Sequence, residues 1–518
     1  MTPADLIKEF ETLSDAPEGI NRLRELVLQL AVRGKLVPQD PEDEPASVLL
    51  DRITKDKATL FSEKGLKMPK PPAPIDDGEG PFEIPQGWRL ERLGNLGFIG
   101  SSRRVHKRDW RETGIPFYRA REIVKLARNG SVAADLHITE ELHQALASRG
   151  PTPEPGDVMI TGVGTIGVPY VVQEGDCFYF KDASVLIFKN LFRLFPPFLA
   201  VVFRSPYWDT TVHQGSMGTT VHTLTIKRAI EIIIPIPPLE EQERIAARVD
   251  ELMGLLDRME AAREARNTTR SAARDAALAE LREADNHEEV EVAWGRFAER
   301  MDDLLTDPTD VEPLRQTVLQ LAVQGRLVPQ DPNDEPASVL LERIAVEKAR
   351  LLAEGKIRKK KALPPISAGD EPSELPGLWI WNRLGEIAAE LVYGTSAKSK
   401  PSGDVPVLRM GNLQGGEIDW SSLKFSDDPD EITKYSLEPG AVLFNRTNSP
   451  ELVGKTSIYR GERPALFAGY LIRVGLTEHV VPDYVNRVLN SPFARKWCWD
   501  TKTDGVSQSN ISGSKLAL

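Results

Sequence analysis

Apolar positions along this chain follow two alternating rhythms. Over residues 1 to about 56 they recur at helical spacing: Leu6, Phe10 and Leu13 share one face, and Leu23, Val27 and Leu30 another. Gly34 followed by Pro38 marks a helix stop, the acidic, proline-bearing run 39–45 a turn, and Ser47 the start of a further helix. Residues 64–85 hold six prolines and several lysines, the composition of a linker. From Trp88 to about Pro235 the rhythm shortens. Runs such as Ile115-Pro116-Phe117-Tyr118, Asp157-Val158-Met159-Ile160 and 183–188, separated by glycine turns, predict a compact α/β or mostly β domain. The run Ile232-Ile233-Ile234-Pro235-Ile236-Pro237-Pro238 closes it.

A long helix follows. Residues 239–283 lack proline and are rich in Ala, Glu, Arg and Leu, and Ile245, Val249, Leu252, Leu256 and Met259 keep the alternating spacing of a coiled-coil seam. Such a helix is on the order of 65 Å long. Asn267-Thr268-Thr269 is expected to weaken or break its second half. The stripe is too apolar to face water, since burying each such side chain is worth about 1.5–3 kcal/mol. It must pack on the chain's own N-terminal helices, on the same helix of a second copy, or on a separate subunit.

The helical pattern then returns almost letter for letter. Residues 23–53 reappear at 314–344, displaced by 291, and only six of the 31 positions differ: Glu25/Gln316, Leu26/Thr317, Arg33/Gln324, Lys35/Arg326, Glu42/Asn333 and Asp51/Glu342. The register extends upstream, with Phe10, Leu13 and Pro17 on Met301, Leu304 and Pro308, and downstream, with Pro85, Trp88, Leu93 and Gly94 on Pro376, Trp379, Leu384 and Gly385. Beyond these the copies diverge but keep a skeleton: Pro116 and Arg119 fall on Pro406 and Arg409, Gly156 on Gly440, Phe180 on Phe467, Ser205-Pro206 on Ser491-Pro492, and Gly218 on Gly505. So long a period excludes a solenoid and predicts two complete units joined head to tail. A second linker, including 358–361, leads to a second β-rich domain from Trp379 onward.

Composition narrows the class. A chain of 518 residues exceeds one core and suggests about three to four domains. No apolar run approaches the roughly 20 residues of a membrane helix, and Met1-Thr2-Pro3-Ala4-Asp5 lacks a signal pattern. Two cysteines, Cys177 and Cys498, give neither a disulfide framework nor metal spacing, as suits a reducing cytoplasm. A net charge of −12 argues against general nucleic-acid avidity. Yet residues 101–130 carry nine basic side chains (Arg103, Arg104, Lys107, Arg108, Arg111, Arg119, Arg121, Lys125 and Arg128) against three acids, a local +6 suited to phosphates. A solvated charged face is the plainer reading of that run alone. Asn445-Arg446-Thr447-Asn448-Ser449 and Ser507-Gln508-Ser509-Asn510 supply forked side chains suited to base edges, though polar turns are common.

Catalytic motifs fail on inspection. Gly162-Val163-Gly164-Thr165-Ile166-Gly167 has dinucleotide spacing, but Pro169 and Tyr170-Val171-Val172 put a strand where a helix is required, so a β-turn is expected. Gly454-Lys455-Thr456 lacks the first glycine of a phosphate loop, since position 449 is Ser. The seven histidines are scattered.

Taken in order, these features resemble the specificity (S) subunit of type I restriction-modification systems. The carriers are a variable domain, the stretch Ile234-Pro235-Ile236-Pro237-Pro238-Leu239-Glu240-Glu241-Gln242-Glu243-Arg244-Ile245, a long helix, and then Leu-Gln-Leu-Ala-Val-x-Gly-Lys/Arg-Leu-Val. Residues 440–459 and Phe467-Ala468-Gly469-Tyr470 look like the core of that family's recognition domains. The resemblance implies a non-catalytic DNA reader of α+β multidomain build, with two β-rich α/β target recognition domains on helical conserved regions. Expected boundaries are 1–80 (helical region and linker), 81–235 (first recognition domain), 236–372 (long helix, repeated helices, linker) and 373–518 (second recognition domain). Implied partners are double-stranded DNA, methyltransferase subunits (two of them) and a restriction/translocase subunit. S-adenosylmethionine, ATP and Mg are expected on those partners, and no metal or cofactor on this chain.

DNA-facing candidates implied in the first domain are Arg103, Arg104, Lys107, Arg108, Arg119, Arg121, Thr161, Thr165, Lys181, Ser216, Thr219 and Thr220. In the second they are Tyr393, Thr395, Ser396, Lys398, Arg409, Asn412, Asn445, Arg446, Thr447, Asn448, Tyr470, Ser507, Gln508 and Asn510. One departure stands out: the second domain stops opposite Glu231, with nothing matching the first long helix. Family members usually carry a second such helix. Truncation, cleavage and completion by another polypeptide all fit, and a decoy subunit that binds methyltransferase without reading DNA is the alternative function.

Overall fold

The computed structural model describes residues 16, 18–63, 68–76, 78–214, 223–359, 362–367, 371 and 373–518. Ser216, Thr219, Thr220, Gly218 and the expected helical face of Leu6, Phe10 and Leu13 lie outside these residues. The chain forms two compact units, 1–265 and 266–518, each with its own cores. The architecture is α+β and multidomain. None of the described helices is long and apolar enough to cross a membrane.

In the first unit, helix Gly19–Val32 ends where Gly34 takes φ 65°. The Gly34 N–H donates to Ala31 O at 3.2 Å and Lys35 N–H to Leu30 O at 2.9 Å, closing the helix in a left-handed cap that glycine adopts without strain. A Cβ there would also meet Pro85 at 2.4 Å. Helix Ala46–Glu63 follows, its first N–H donating to Gly87 O at 3.0 Å.

The β-rich part of this unit is built on a four-stranded antiparallel sheet, in the order Phe98–Gly100, Val185–Lys189, Val158–Thr161, Pro169–Val171. A smaller sheet places Ile115–Tyr118 between His137–Ile138 (antiparallel) and Tyr179–Phe180 (parallel). Helices Pro196–Arg204 and Pro206–Gln214 join the sheet to helix Gly19–Val32.

The long helix runs unbroken from Leu239 to Glu283, 45 residues. The expected break at Asn267-Thr268-Thr269 is therefore corrected. Asn and Thr cost only about 0.5 kcal/mol each against Ala inside a helix, and without Gly or Pro the Ala- and Arg-rich flanks carry the helix through. Ile245, Val249, Leu252 and Leu256 are buried in one core with Ile20, Leu23, Val27 and Ala31, and Met259 packs against it. Of the three partners open to the stripe, it takes the chain's own N-terminal helix. Polar clasps flank the seam. Glu241, fully buried, accepts from Trp88 Nε1 at 2.9 Å and Gln39 Nε2 at 2.7 Å. Arg244 donates to both oxygens of Asp43, and Arg24 to Asp257 and Glu260.

The second unit repeats the plan. Gly325 (φ 69°) closes helix Val311–Val323 with the same cap, and Ala337–Ala353 follows. The main sheet runs Ala388–Tyr393, Leu471–Leu476, Val442–Asn445, Thr456–Ile458, and the small one sets Val405–Leu408 between Lys424–Ser426 and Leu466–Phe467. In these two sheets, strand order and direction match the first unit. Gly156 and Gly440 share φ near 86–87°, and Ser205 and Ser491 each donate Oγ–H to the carbonyl three residues back at 2.6 Å. The sequence skeleton thus marks the same structural joints twice. Within this unit, Leu278 and Leu281 of the long helix, with Ala284 just beyond its end, share a core with Val290, Ala293, Phe297 and Leu321.

Candidate nucleic-acid interface

In the second unit the polar candidates converge where the main sheet ends. Strand Val442–Asn445 runs on into Arg446, whose N–H donates to Tyr470 O at 3.0 Å and whose carbonyl accepts from Ile511 N at 2.9 Å. Thr447–Asn448 then joins a three-stranded ribbon with Ser509–Asn510 and Thr503–Asp504. Gly505 N–H closes the ribbon's turn onto Gln508 O at 2.8 Å, leaving Val506, Ser507 and Gln508 exposed at its tip. The Arg446 guanidinium lies over the Tyr393 ring, 4.8 Å from its centre. Its NH2 donates to Asn510 Oδ1 at 3.2 Å and its NH1 to Gly469 O at 3.4 Å, and Asn510 Nδ2 donates to Thr447 Oγ1 at 2.7 Å. Tyr393 is held in turn by the Gly513 N–H, donated to its hydroxyl at 2.7 Å. Tyr393, Arg446, Thr447 and Asn510 are therefore one assembly, with the exposed Tyr470 ring at its edge.

Other candidates of this unit stand apart from that assembly or face inward. Asn412 is buried, accepts from Arg409 N at 2.9 Å and donates to the Asp419 and Ser422 carbonyls, which is a loop-holding role. Among the described residues the Arg409 guanidinium reaches Ser422 O, at 3.4 Å. Thr395 is buried and hydrogen-bonded to Glu431, while Ser396 and Lys398 are exposed on the loop that follows. Asn445 is fully buried and neither end of its amide has a partner among the described residues.

In the first unit the candidates sit differently. Arg104 and Lys107 are exposed without a partner among the described residues, Arg108 reaches only Asp109 at 3.8 Å, and Arg103 donates Nε to Arg149 O at 2.9 Å. Lys181 is exposed on the loop after the parallel strand Tyr179–Phe180. Thr161 is buried and its hydroxyl ties Thr165 O to Val168 N, so residues 162–168 are the turn of a hairpin and no dinucleotide loop. The isolated bridge Val163–Thr223 occupies the place of Thr447–Asn510 in the other domain.

Arg119 departs furthest from the expectation. It donates Nε and NH2 to Glu122 at 3.0 and 2.8 Å and NH2 to Asp135 at 3.2 Å, and Arg121 is bound to the same two acids. Burial pushes the Glu122 carboxyl up, but hydrogen bonds from Arg119 and Arg121 outweigh it and hold the group below the ordinary range. Arg119 is thus part of a helix-capping ion pair, with its Nε and NH2 donors committed to acids. The near neighbour Glu122 was visible in sequence, but Asp135 was brought in by the fold. Elsewhere, Glu347, Glu478 and His479 bring ligand atoms within 4.8 Å of one another, and His479 Nε2 lies 3.7 Å from Glu347 Oε2, where helix Ala337–Ala353 meets the exit of strand Leu471–Leu476.

Residues 85–265 match the type I restriction modification DNA specificity domain. Over 450 residues the chain is 35% identical to the specificity subunit of the type I restriction enzyme EcoAI of Escherichia coli, covering 82% of this chain and 73% of that one. The chain belongs to the family of type I restriction enzyme specificity subunits. The EcoEI specificity subunit, also of Escherichia coli, is 30% identical over 535 residues, covering 96% and 86% of the two chains. The HsdS subunit from Thermoanaerobacter tengcongensis superposes with a TM-score of 0.41 at 17% identity, over 85% of each chain. As a specificity subunit this chain is a non-catalytic DNA-recognition protein, acting with methyltransferase and restriction subunits. No catalytic cofactor of its own belongs to that role.

Proposed function

We propose that this specificity subunit reads a split, asymmetric DNA sequence, with the domain at 81–235 reading one half and the domain at 373–518 the other. One observation carries the reading: two domains of the same strand order, each docked on a near-identical helical stretch, present different side chains at corresponding places. Thr161 and Gly162 stand where Asn445 and Arg446 stand, and the basic run 103–108 lies in only one of the domains. Equal scaffolds suit two copies of one partner, so two methyltransferase subunits bind, while unequal domains suit unequal half-sites. Exposed Arg104, Lys107 and Lys181 supply phosphate contacts in the first half, and Lys398 with the ribbon tip supplies them in the second. S-adenosylmethionine, ATP and Mg belong to the methyltransferase and restriction/translocase partners, and the complex works in the cytoplasm.

Mapping methylated adenines in cells carrying this chain with its methyltransferase tests the proposal. The expected result is one motif in two unlike parts at fixed spacing. A continuous palindrome would contradict it, and absent methylation with intact methyltransferase binding would favour a decoy.

A further inference from the structure

Two arginines, one in each recognition domain, spend their donors differently: Arg119 commits Nε and NH2 to acids, and Arg446 meets only neutral acceptors. Arg119 gives its donors to two carboxylates. Arg446 has no carboxylate partner among the described residues: its ring, carbonyl and amide contacts leave the positive charge uncompensated. Two of its five N–H donors are committed, one on each terminal nitrogen, so each of those nitrogens keeps a free N–H. Its Nε is buried without a partner. Partly buried charge is costly unless an opposite charge meets it, and the described residues offer it neutral acceptors but no carboxylate. The side chain is nonetheless fixed, clamped between the Tyr393 ring and the Asn510 amide, so its direction is set before anything binds. Beside it the hairpin of Thr503–Asp504 and Ser509–Asn510 ends in an exposed tip, and a two-stranded ribbon is an element the major groove admits.

We propose that Arg446 reads a guanine in the half-site of the second domain, its two terminal N–H groups donating to guanine O6 and N7. Tyr393 and Asn510 are positioning residues that hold the fork flat. This inference rests on the two-part reading above and adds to it the base and the atoms. No arginine stands at the corresponding place in the first domain, where the residue is Gly162, so the two half-sites are read by different devices.

The test is the methylated motif produced by Arg446→Ala, Arg446→Lys and Tyr393→Leu chains with the partner methyltransferase. For Arg446→Ala, one invariant guanine in the second half-site relaxes, its preference falling roughly tenfold or more, while the first half-site stays strict. Arg446→Lys does not restore it, because an ammonium lacks the fork. Tyr393→Leu weakens preference at that same guanine and nowhere else, an outcome a merely structural role would not give. A strict motif with Arg446→Ala overturns the inference, and so does uniform weakening rescued by Arg446→Lys, which marks a phosphate contact. Loss of all methylation by the Ala chain is resolved by Arg446→Gln, which keeps most of the side chain's bulk and must relax the same guanine. A wild-type motif that is not in two parts defeats the underlying reading instead.

Discussion

The two copies of the repeated stretch have nearly the same letters and bury different faces. In the first copy Ile20, Leu23, Val27 and Ala31 are buried with the long-helix seam. In the second the corresponding helix buries Thr317 and Leu321, the places held by half-buried Leu26 and Leu30, and shares with the first copy only Val323, the place of buried Val32. One of the six differences is thereby explained: Thr317 accepts from Arg282 at 3.0 Å, which leucine could not do. The contrast continues around the turn. Leu36 is 3% exposed and its counterpart Leu327 36%, Ile20 is 2% and Val311 43%, Phe61 is 0% and Leu352 39%. Trp88 finds Glu241 and Asp43 finds Arg244, but Trp379 and Asp334 have no such partner among the described residues. Identical apolar letters therefore do not decide burial. The helix laid across them does.

The largest expected effect follows from that. Leu252→Glu with Leu256→Glu places two charges in a sealed core and should cost more than about 4 kcal/mol, read as loss of the first unit's cooperative transition in urea. Leu327→Glu with Val328→Glu, the exposed counterparts of Leu36 and Val37, should stay within about 0.5 kcal/mol. Equal losses would erase the comparison. Because the seam packs within its own chain, the first double variant should unfold its unit without first dissociating a dimer, which light scattering at micromolar concentration distinguishes.

Smaller effects come from the clasps. Trp88→Phe strands a buried Glu241 oxygen and should cost about 1–3 kcal/mol, whereas Trp379→Phe should cost less than about 0.5 kcal/mol. Arg119→Ala strands part of Glu122 and should likewise cost about 1–3 kcal/mol, appearing as instability before any change in specificity. The pH dependence has a definite sign. Glu122 titrates below the ordinary carboxylate range when folded, so its stabilisation is complete above the unfolded value and is lost as pH falls through the folded one. Arg119→Ala should flatten that acid limb. Arg409→Ala should not, because Asn412 occupies the place of Glu122 and carries no charge. Arg409 keeps its place as a base-reading candidate, and relaxation of one motif position on its replacement would sharpen the case.

Much of this was legible in the letters. The 291-residue period, the helix stop at Gly34 and the apolar seam are local patterns, and they returned in the fold. The pairing of copies at Gly156/Gly440 and Ser205/Ser491 survived divergence because backbone geometry requires those residues. What stayed hidden depends on the fold. Nothing in the sequence brings Asp135 to Arg119 across 16 residues, or says that Asn412 and Thr161 turn inward to tie loops. Nor does a helix announce which of two apolar faces its neighbour will cover. The Arg446 assembly draws on four separate stretches, and only the fold brings Tyr393 beneath the guanidinium.

The central claim is that each recognition domain reads its own half of the DNA. Replacing residues 88–235 with the corresponding domain of a relative of different specificity, then mapping methylated adenines genome-wide, tests it most directly. The account predicts that one half of the motif changes to the relative's sequence while the other half, including its guanine, stays the same. A change in both halves, or in neither, would contradict it.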